Sequence, residues 1–335
     1  MADVMRLAAL ADAAGFDAQW SYEVLRNPLM VTATAAVATE RSRIGTGIVG
    51  ALSRSPFDMA NAAADVDDLS GGRMMLGLGT GAPEALRAFH GTDGETPIPR
   101  MREYIEVLRR SWDYLASGAG PAFDGAHYRF NPPPVNPWGA RELVRPQIPI
   151  YLAAMKPQML ALAGRLADGW IGYFFTPGML DEYVRPHLEK GARKAGRNVD
   201  EIEMSVEMVC SISVDRRVAM ARARRQVGFY AVHPTTNFLM ADYGLAEDVR
   251  ELRRRFRAEG VEAFAHTSDR LVERLSITGT PEEVGQKLDD YRGHVDLMML
   301  HTPYVPPLTA DDATDAFTNI VEVFTPNGRG VELPS

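Results

Sequence analysis

The sequence predicts a parallel α/β fold, a (β/α)8 barrel that lacks its first strand. Three observations carry this. Apolar runs of strand length alternate with segments of helical period along most of the 335 residues. The strands are apolar throughout rather than alternating, as in a sheet covered by helices on both faces. The count is seven strands and eight helical layers, and the chain opens on a helix instead of a strand.

Val4, Leu7, Ala8, Ala11 and Ala14 recur at helical spacing, and Gly15 closes that helix before a short strand over 17–21. A second helix is predicted over 28–39, with Pro28 suited to its first turn, and a strand over 43–49. Pro56 starts a third helix that ends near Leu69; a strand over 73–78 and a long helix over 99–116 follow. Residues 118–147, rich in proline and glycine, read as an irregular excursion with one hairpin. The alternation then resumes with strands over 148–154, 169–174 and 201–214, and helices over 157–167 and 179–196 between them. A helical insertion is expected over 215–275, then a helix over 281–291, the last strand over 296–301 and the last helix over 310–323. Residues 1–324 thus form one barrel domain, and 325–335 a loose tail.

Composition narrows the class of partner. Hydrophobic residues make up 46% and charged residues 24%, ordinary for a soluble globular protein. A net charge of −8 disfavours nucleic acid and anionic lipid, which leaves a small molecule as the expected partner. Cys210 is the only cysteine, so no intramolecular disulfide can form, and with no secretory start or membrane-length apolar run the expected compartment is the cytoplasm. Cys210 lies in an apolar run and reads as a buried small hydrophobe. No metal-binding spacing occurs. The arginine clusters at 216–217, 222–225 and 250–257 alternate with acids and read as solvated helix faces.

The segment Leu69-Ser-Gly-Gly-Arg-Met-Met-Leu-Gly-Leu-Gly-Thr-Gly81 puts nearly bare backbone at the C-terminal end of a buried strand, where α/β enzymes hold ligands. Its spacing, and that of Gly45-x-Gly47-x-x-Gly50, imitates a dinucleotide fingerprint. Neither copy has a helix starting inside the turn or the acidic residue at the end of a second strand.

Leu10-Ala-Asp-Ala-Ala-Gly-Phe-Asp-Ala-Gln-Trp with Glu23, Thr39-Glu-Arg-Ser-Arg-Ile-Gly-Thr-Gly-Ile, Arg54-Ser-Pro and the segment from Leu69 stand in one order. Pro149-Ile-Tyr-Leu-Ala-Ala, Leu166-Ala-Asp-Gly-Trp and Gly279-Thr-Pro-Glu-Glu-Val continue it. In these motifs the chain resembles the luciferase-like monooxygenase superfamily, and within it the oxidoreductases that use the deazaflavin coenzyme F420. The resemblance implies a TIM barrel with insertions, a ring in the mouth at the strand C-termini, and a homo-oligomer, commonly a dimer. It implies a non-proline cis peptide at Gly47–Ile48, a loop of Gly79, Thr80 and Gly81 beside the ring, and a loop of Ala153, Ala154 and Met155 against the cofactor tail. Two departures stand out: Val24 follows Glu23 where sugar-phosphate dehydrogenases of this superfamily carry histidine, and the gapless match to their glutamate is Ala82, with Glu84 the alternative if the loop is longer.

Hydride transfer needs a proton donor or acceptor, and Glu23 and His301, each just at the end of a strand, are the catalytic candidates, with Arg26 a candidate substrate contact. His127, His233 and His266 are candidate lid residues. The expected activity is F420-dependent hydride transfer to or from a small organic substrate. The alternatives are an FMN-dependent monooxygenase of the same barrel and a member that is non-catalytic or works without cofactor.

Overall fold

The computed structural model describes residues 1–24 and 26–325, and the residues fall into two compact units. Among the described residues the first comprises Met1–Ile171 and Tyr183–Met204; the second comprises Gly172–Glu182 and 205–325.

In the first unit β1 (Ala18–Ser21), β2 (Arg43–Thr46), β3 (Val49–Gly50) and β4 (Met74–Gly79) are followed by a two-stranded hairpin of β5 (Phe123–Asp124) and β6 (Arg129–Phe130). Then come β7 (Ile150–Ala153) and β8 (Gly169–Tyr173, whose last two residues belong to the second unit). β1 pairs with β2, β2 and β3 with β4, β4 with β7 and β7 with β8, all parallel. Helices intervene as the alternation predicts, over Pro28–Ala36, Pro56–Leu69, Pro97–Ser117 and Pro157–Leu166. In the second unit β9 (Glu203–Ile212, which begins in the first) pairs in parallel with both β10 (Ser276–Gly279) and β11 (Leu297–His301). The α/β class with a parallel sheet is as expected.

Five details differ from the expectation, the first being the strand over 43–49, which stops at Thr46 and resumes as Val49–Gly50. β10 was not predicted: four residues between two helices offer no period to read. A helix over Pro83–His90 follows the glycine loop, closed by Gly91 in the left-handed region. The helix expected over 28–39 stops at Ala36, and the one over 179–196 contains a π turn at Leu180–Val184. Apart from Thr325, the predicted tail lies outside the described residues.

The predicted hairpin in 118–147 is held by a buried carboxylate. Glu103 accepts the N–H groups of Ala126, His127 and Tyr128 at 3.2, 2.7 and 3.2 Å. Phe130 packs against Val107 and Tyr114 of the long helix. At the far end of the excursion Arg145 forms a two-pronged contact with Asp67, at 3.0 and 2.7 Å, and Asp67 also accepts the N–H of Met74 at the start of β4.

Two of the motif residues are structural. Arg73 donates to the carbonyls of Ser42 (2.6 Å), Thr39 (2.8 Å), Ala36 (3.1 Å) and Ser70 (2.7 Å), so it satisfies orphan acceptors past the helix Pro28–Ala36. Asp12 accepts from the backbone of Glu40 (3.1 Å), Arg41 (3.1 Å) and Ser42 (2.7 Å) and from the Ser42 hydroxyl (2.6 Å). Together they fix the turn that feeds β2. Cys210, fully buried in β9, pairs through the backbone with Ile277 of β10, and its thiol pKa is pushed up by burial.

Burial alone would raise the Asp12 pKa, but the hydrogen bonds from Ser42, Glu40 and Arg41 outweigh it and hold the carboxyl well below the usual range. Its stabilisation is therefore complete above the unfolded carboxylate pKa, about 4, and is lost as pH falls through the depressed folded value. Asp12→Ala, which orphans these donors, is expected to cost about 2–4 kcal/mol at pH 7, with the gap to wild type closing in strong acid. Urea denaturation of both proteins across pH reads this directly.

Candidate active site

Two constellations of candidate residues stand out, one in each unit. The first is built on a slip in the β2–β4 ladder. Ile44 pairs with Met74 and Gly45 with Met75, but beyond the slip Val49 pairs with Leu78 and Gly50 with Gly79, so the β2–β3 side carries one extra residue. At the slip a side chain replaces the ladder: the Thr46 hydroxyl donates to the Gly77 carbonyl at 2.8 Å and accepts the Gly77 N–H at 3.0 Å. A Cβ on Gly77 would lie 1.8 Å from the Thr46 carbonyl oxygen, so this approach admits only glycine.

The extra residue is accommodated at Gly47–Ile48, whose peptide bond is cis, as the resemblance implies. Gly47 donates its N–H to the Ser21 carbonyl (2.6 Å), and Glu23 donates its own to the Ile48 carbonyl (3.2 Å). The Ile48 side chain lies over Gly79, where a Cβ would come within 2.6 Å of its Cδ1. Gly47, Ile48 and Thr80 are half-buried, Gly81 is exposed and Gly79 is buried beneath Ile48.

Glu23 braces the slip. One of its carboxylate oxygens accepts the Gly50 N–H at 2.6 Å and an Arg54 N–H at 3.1 Å; the other accepts from Arg54 at 2.5 Å. With both side chains mostly buried, these bonds take up both oxygens of the group proposed for proton transfer. Arg26 is exposed.

The loop after β7 is partly committed to the sheet. Ala154 donates its N–H to the Ile171 carbonyl at 3.0 Å and its carbonyl accepts the Trp170 indole N–H at 2.8 Å; the Met155 carbonyl accepts from the Tyr183 hydroxyl at 3.3 Å. An exposed basic residue lies one step further on. Lys156 is the exposed N-cap residue of the helix Pro157–Leu166, no side chain caps that end, and the helix dipole adds to the lysine's charge. The sequence reading passed over Lys156, although a lysine directly before a helix-starting proline is a legible signal.

In the second unit His301 ends β11, as predicted, and is 8% exposed. Its Nδ1 lies 2.8 Å from a Glu207 carboxylate oxygen. Its ring makes edge contact with Tyr230 at 5.7 Å and a tilted contact with Tyr304 at 5.5 Å. Burial raises the pKa values of the Tyr173 and Tyr304 hydroxyls. Glu207 was missed; a single acid inside the apolar strand Met204-Ser-Val-Glu-Met-Val-Cys was the available signal. His127, His233 and His266 are exposed.

The model of a family described as luciferase-like monooxygenase matches residues 1–296. The chain is 31% identical over 291 residues to 5,10-methylenetetrahydromethanopterin reductase of Archaeoglobus fulgidus, covering 84% of this chain and 83% of that protein. It is 30% identical over 301 residues to a putative coenzyme F420-dependent oxidoreductase of Mycobacterium tuberculosis, covering 84% and 85%. Among solved structures, the coenzyme F420-dependent tetrahydromethanopterin reductase of Methanopyrus kandleri shares the fold with a TM-score of 0.81 at 24% identity, over 96% of this chain and 94% of that one.

Removing the brace should cost stability. Glu23→Ala leaves the Gly50 N–H without its carboxylate and the Arg54 guanidinium with only the Gly50 carbonyl (3.3 Å) and the Ser53 hydroxyl (3.1 Å), and a loss of about 2–4 kcal/mol is expected, measured as a lowered urea midpoint.

Proposed function

The chain belongs to the luciferase-like monooxygenase family, and we propose that it is an F420-dependent oxidoreductase that moves a hydride between the deazaflavin and a small organic substrate. The observation that carries this reading is the slip between β2 and β4. It presents Ile48 against the bare backbone of Gly79 at the C-terminal ends of parallel strands, the place where such folds bind ligands. The names of the curated relatives support F420 over FMN.

The residues fit such a cofactor. Gly47, Ile48, Thr80 and Gly81 offer a half-open surface, backed by the buried Gly79 beneath Ile48, that suits one face of a planar ring. Ala153, Ala154 and Met155 lead to Lys156 and an uncapped helix N-terminus, suited to a phosphate. When bound, the deazaflavin supplies a carbon that gives or takes a hydride.

The protein supplies the proton. We assign this to His301: Glu207 against Nδ1 fixes the orientation of the imidazole, and Nε2 is the atom assigned to the proton exchange. Glu23 acts by holding Ile48 and Gly50 in place, and Arg26 is offered as a substrate contact.

Titration with F420 and with FMN, oxidised and reduced, tests the cofactor. Micromolar F420 binding with weak FMN binding is expected, and the reverse order would overturn the assignment. Gly79→Val, which drives a branched side chain into Ile48, should abolish cofactor binding. His301→Ala should leave F420 affinity unchanged while kcat falls at least tenfold, and Glu207→Gln should lower kcat less and shift its pH profile. An unaltered kcat in His301→Ala removes the proton-transfer role.

A further inference from the structure

The second unit contains a cavity of 710 Å³ that the proposed reaction does not use. Its volume is that of a small-molecule site. Met208, Leu245 and Ile277, each at most 3% exposed, give it an apolar floor. Tyr243 and Tyr291 form two aromatic walls.

The walls are preset by their own hydroxyls. Tyr243 donates to the Phe174 carbonyl at 2.8 Å and accepts the Thr176 N–H at 3.2 Å, while Tyr291 donates to the Phe175 carbonyl at 3.1 Å. Rings tied in this way lose little freedom when a ligand arrives.

Charge around the cavity is unevenly neutralised. Arg270 pairs with Asp248 at 2.8 Å, and Lys287 pairs with Glu273, also at 2.8 Å, with Arg216 on the same carboxylate. Arg274 is different. Its guanidinium stands over the Tyr243 ring, 5.4 Å from the centroid, and among the described residues no carboxylate pairs with it. A guanidinium held against an aromatic face keeps its forked donors aimed at an incoming anion. Asp290, also on the lining, has no cation within ion-pair distance among the described residues and opposes a second negative charge.

We propose that this cavity binds a small monoanion with a flat apolar body, a carboxylate or sulfonate on an aromatic or similarly planar frame. The anionic head pairs with Arg274, the body lies between the two tyrosines over Met208 and Ile277, and Asp290 selects against dianions such as phosphate monoesters.

The test uses 8-anilinonaphthalene-1-sulfonate, an aromatic monoanion, as probe, titrated by fluorescence into the full chain. Arg274 is exposed, so its replacement leaves the core intact. The expected result is a binding component that weakens at least tenfold in Arg274→Gln, persists in Arg274→Lys and tightens severalfold in Asp290→Asn. Absence of binding to the wild type, or the same binding in Arg274→Gln as in the wild type, overturns the proposal. Filling the cavity by Leu245→Trp provides a charge-independent check: it should remove the same component, and retention of that component counts against the site.

Discussion

The first unit depends on how closely β2 and β4 approach at Thr46 and Gly77. A backbone oxygen sits where any Cβ of residue 77 would be, and the threonine hydroxyl both donates to and accepts from that same residue. The regular ladder cannot continue through such a contact. The strand must shed one residue before pairing again, and the shed residue is what places Gly47 and Ile48 outside the sheet. The motifs that flank this point then read as its supports: Asp12 and Arg73 fix the turn leading in, Ser21 and Glu23 hold the displaced peptide, and Arg54 holds Glu23.

Buried and half-buried carboxylates do much of this organisation, and each works at long range in the chain. Glu103 gathers a hairpin turn centred 24 residues away, Asp67 meets an arginine 78 residues away, and Glu207 reaches the histidine of another strand. A carboxylate that accepts several N–H groups or faces a guanidinium offsets its desolvation, whereas one left alone in the same place would be strongly unfavourable. On the exposed helices of the second unit the charges behave differently. Arg254 and Arg255 share Glu251 within one turn, and Arg224 pairs with Asp269, surface pairs of modest energetic weight.

Local pattern made some of this readable and geometry hid the rest. The alternation of apolar runs and helical periods located most of the larger elements near their observed places, because burial on both faces leaves a continuous apolar signature. The glycines near 77–81 and the histidine at the end of β11 were visible for the same reason: special backbone and strand termini mark themselves. The slip was not visible, since register is a relation between two segments and neither one records it alone. Glu207 and Glu23 could be seen as acids but not as partners, because their partners arrive through the fold. β10, four residues long between two helices, lies below the length at which a period exists.

Cys210 has a practical consequence. It is the chain's only thiol, wholly enclosed in β9 beside β10. A thiol reagent can reach it only when that part of the second unit opens, so the rate of labelling in native conditions measures the free energy of that opening. The protein carries its own reporter of local unfolding, at a single site and without an introduced label.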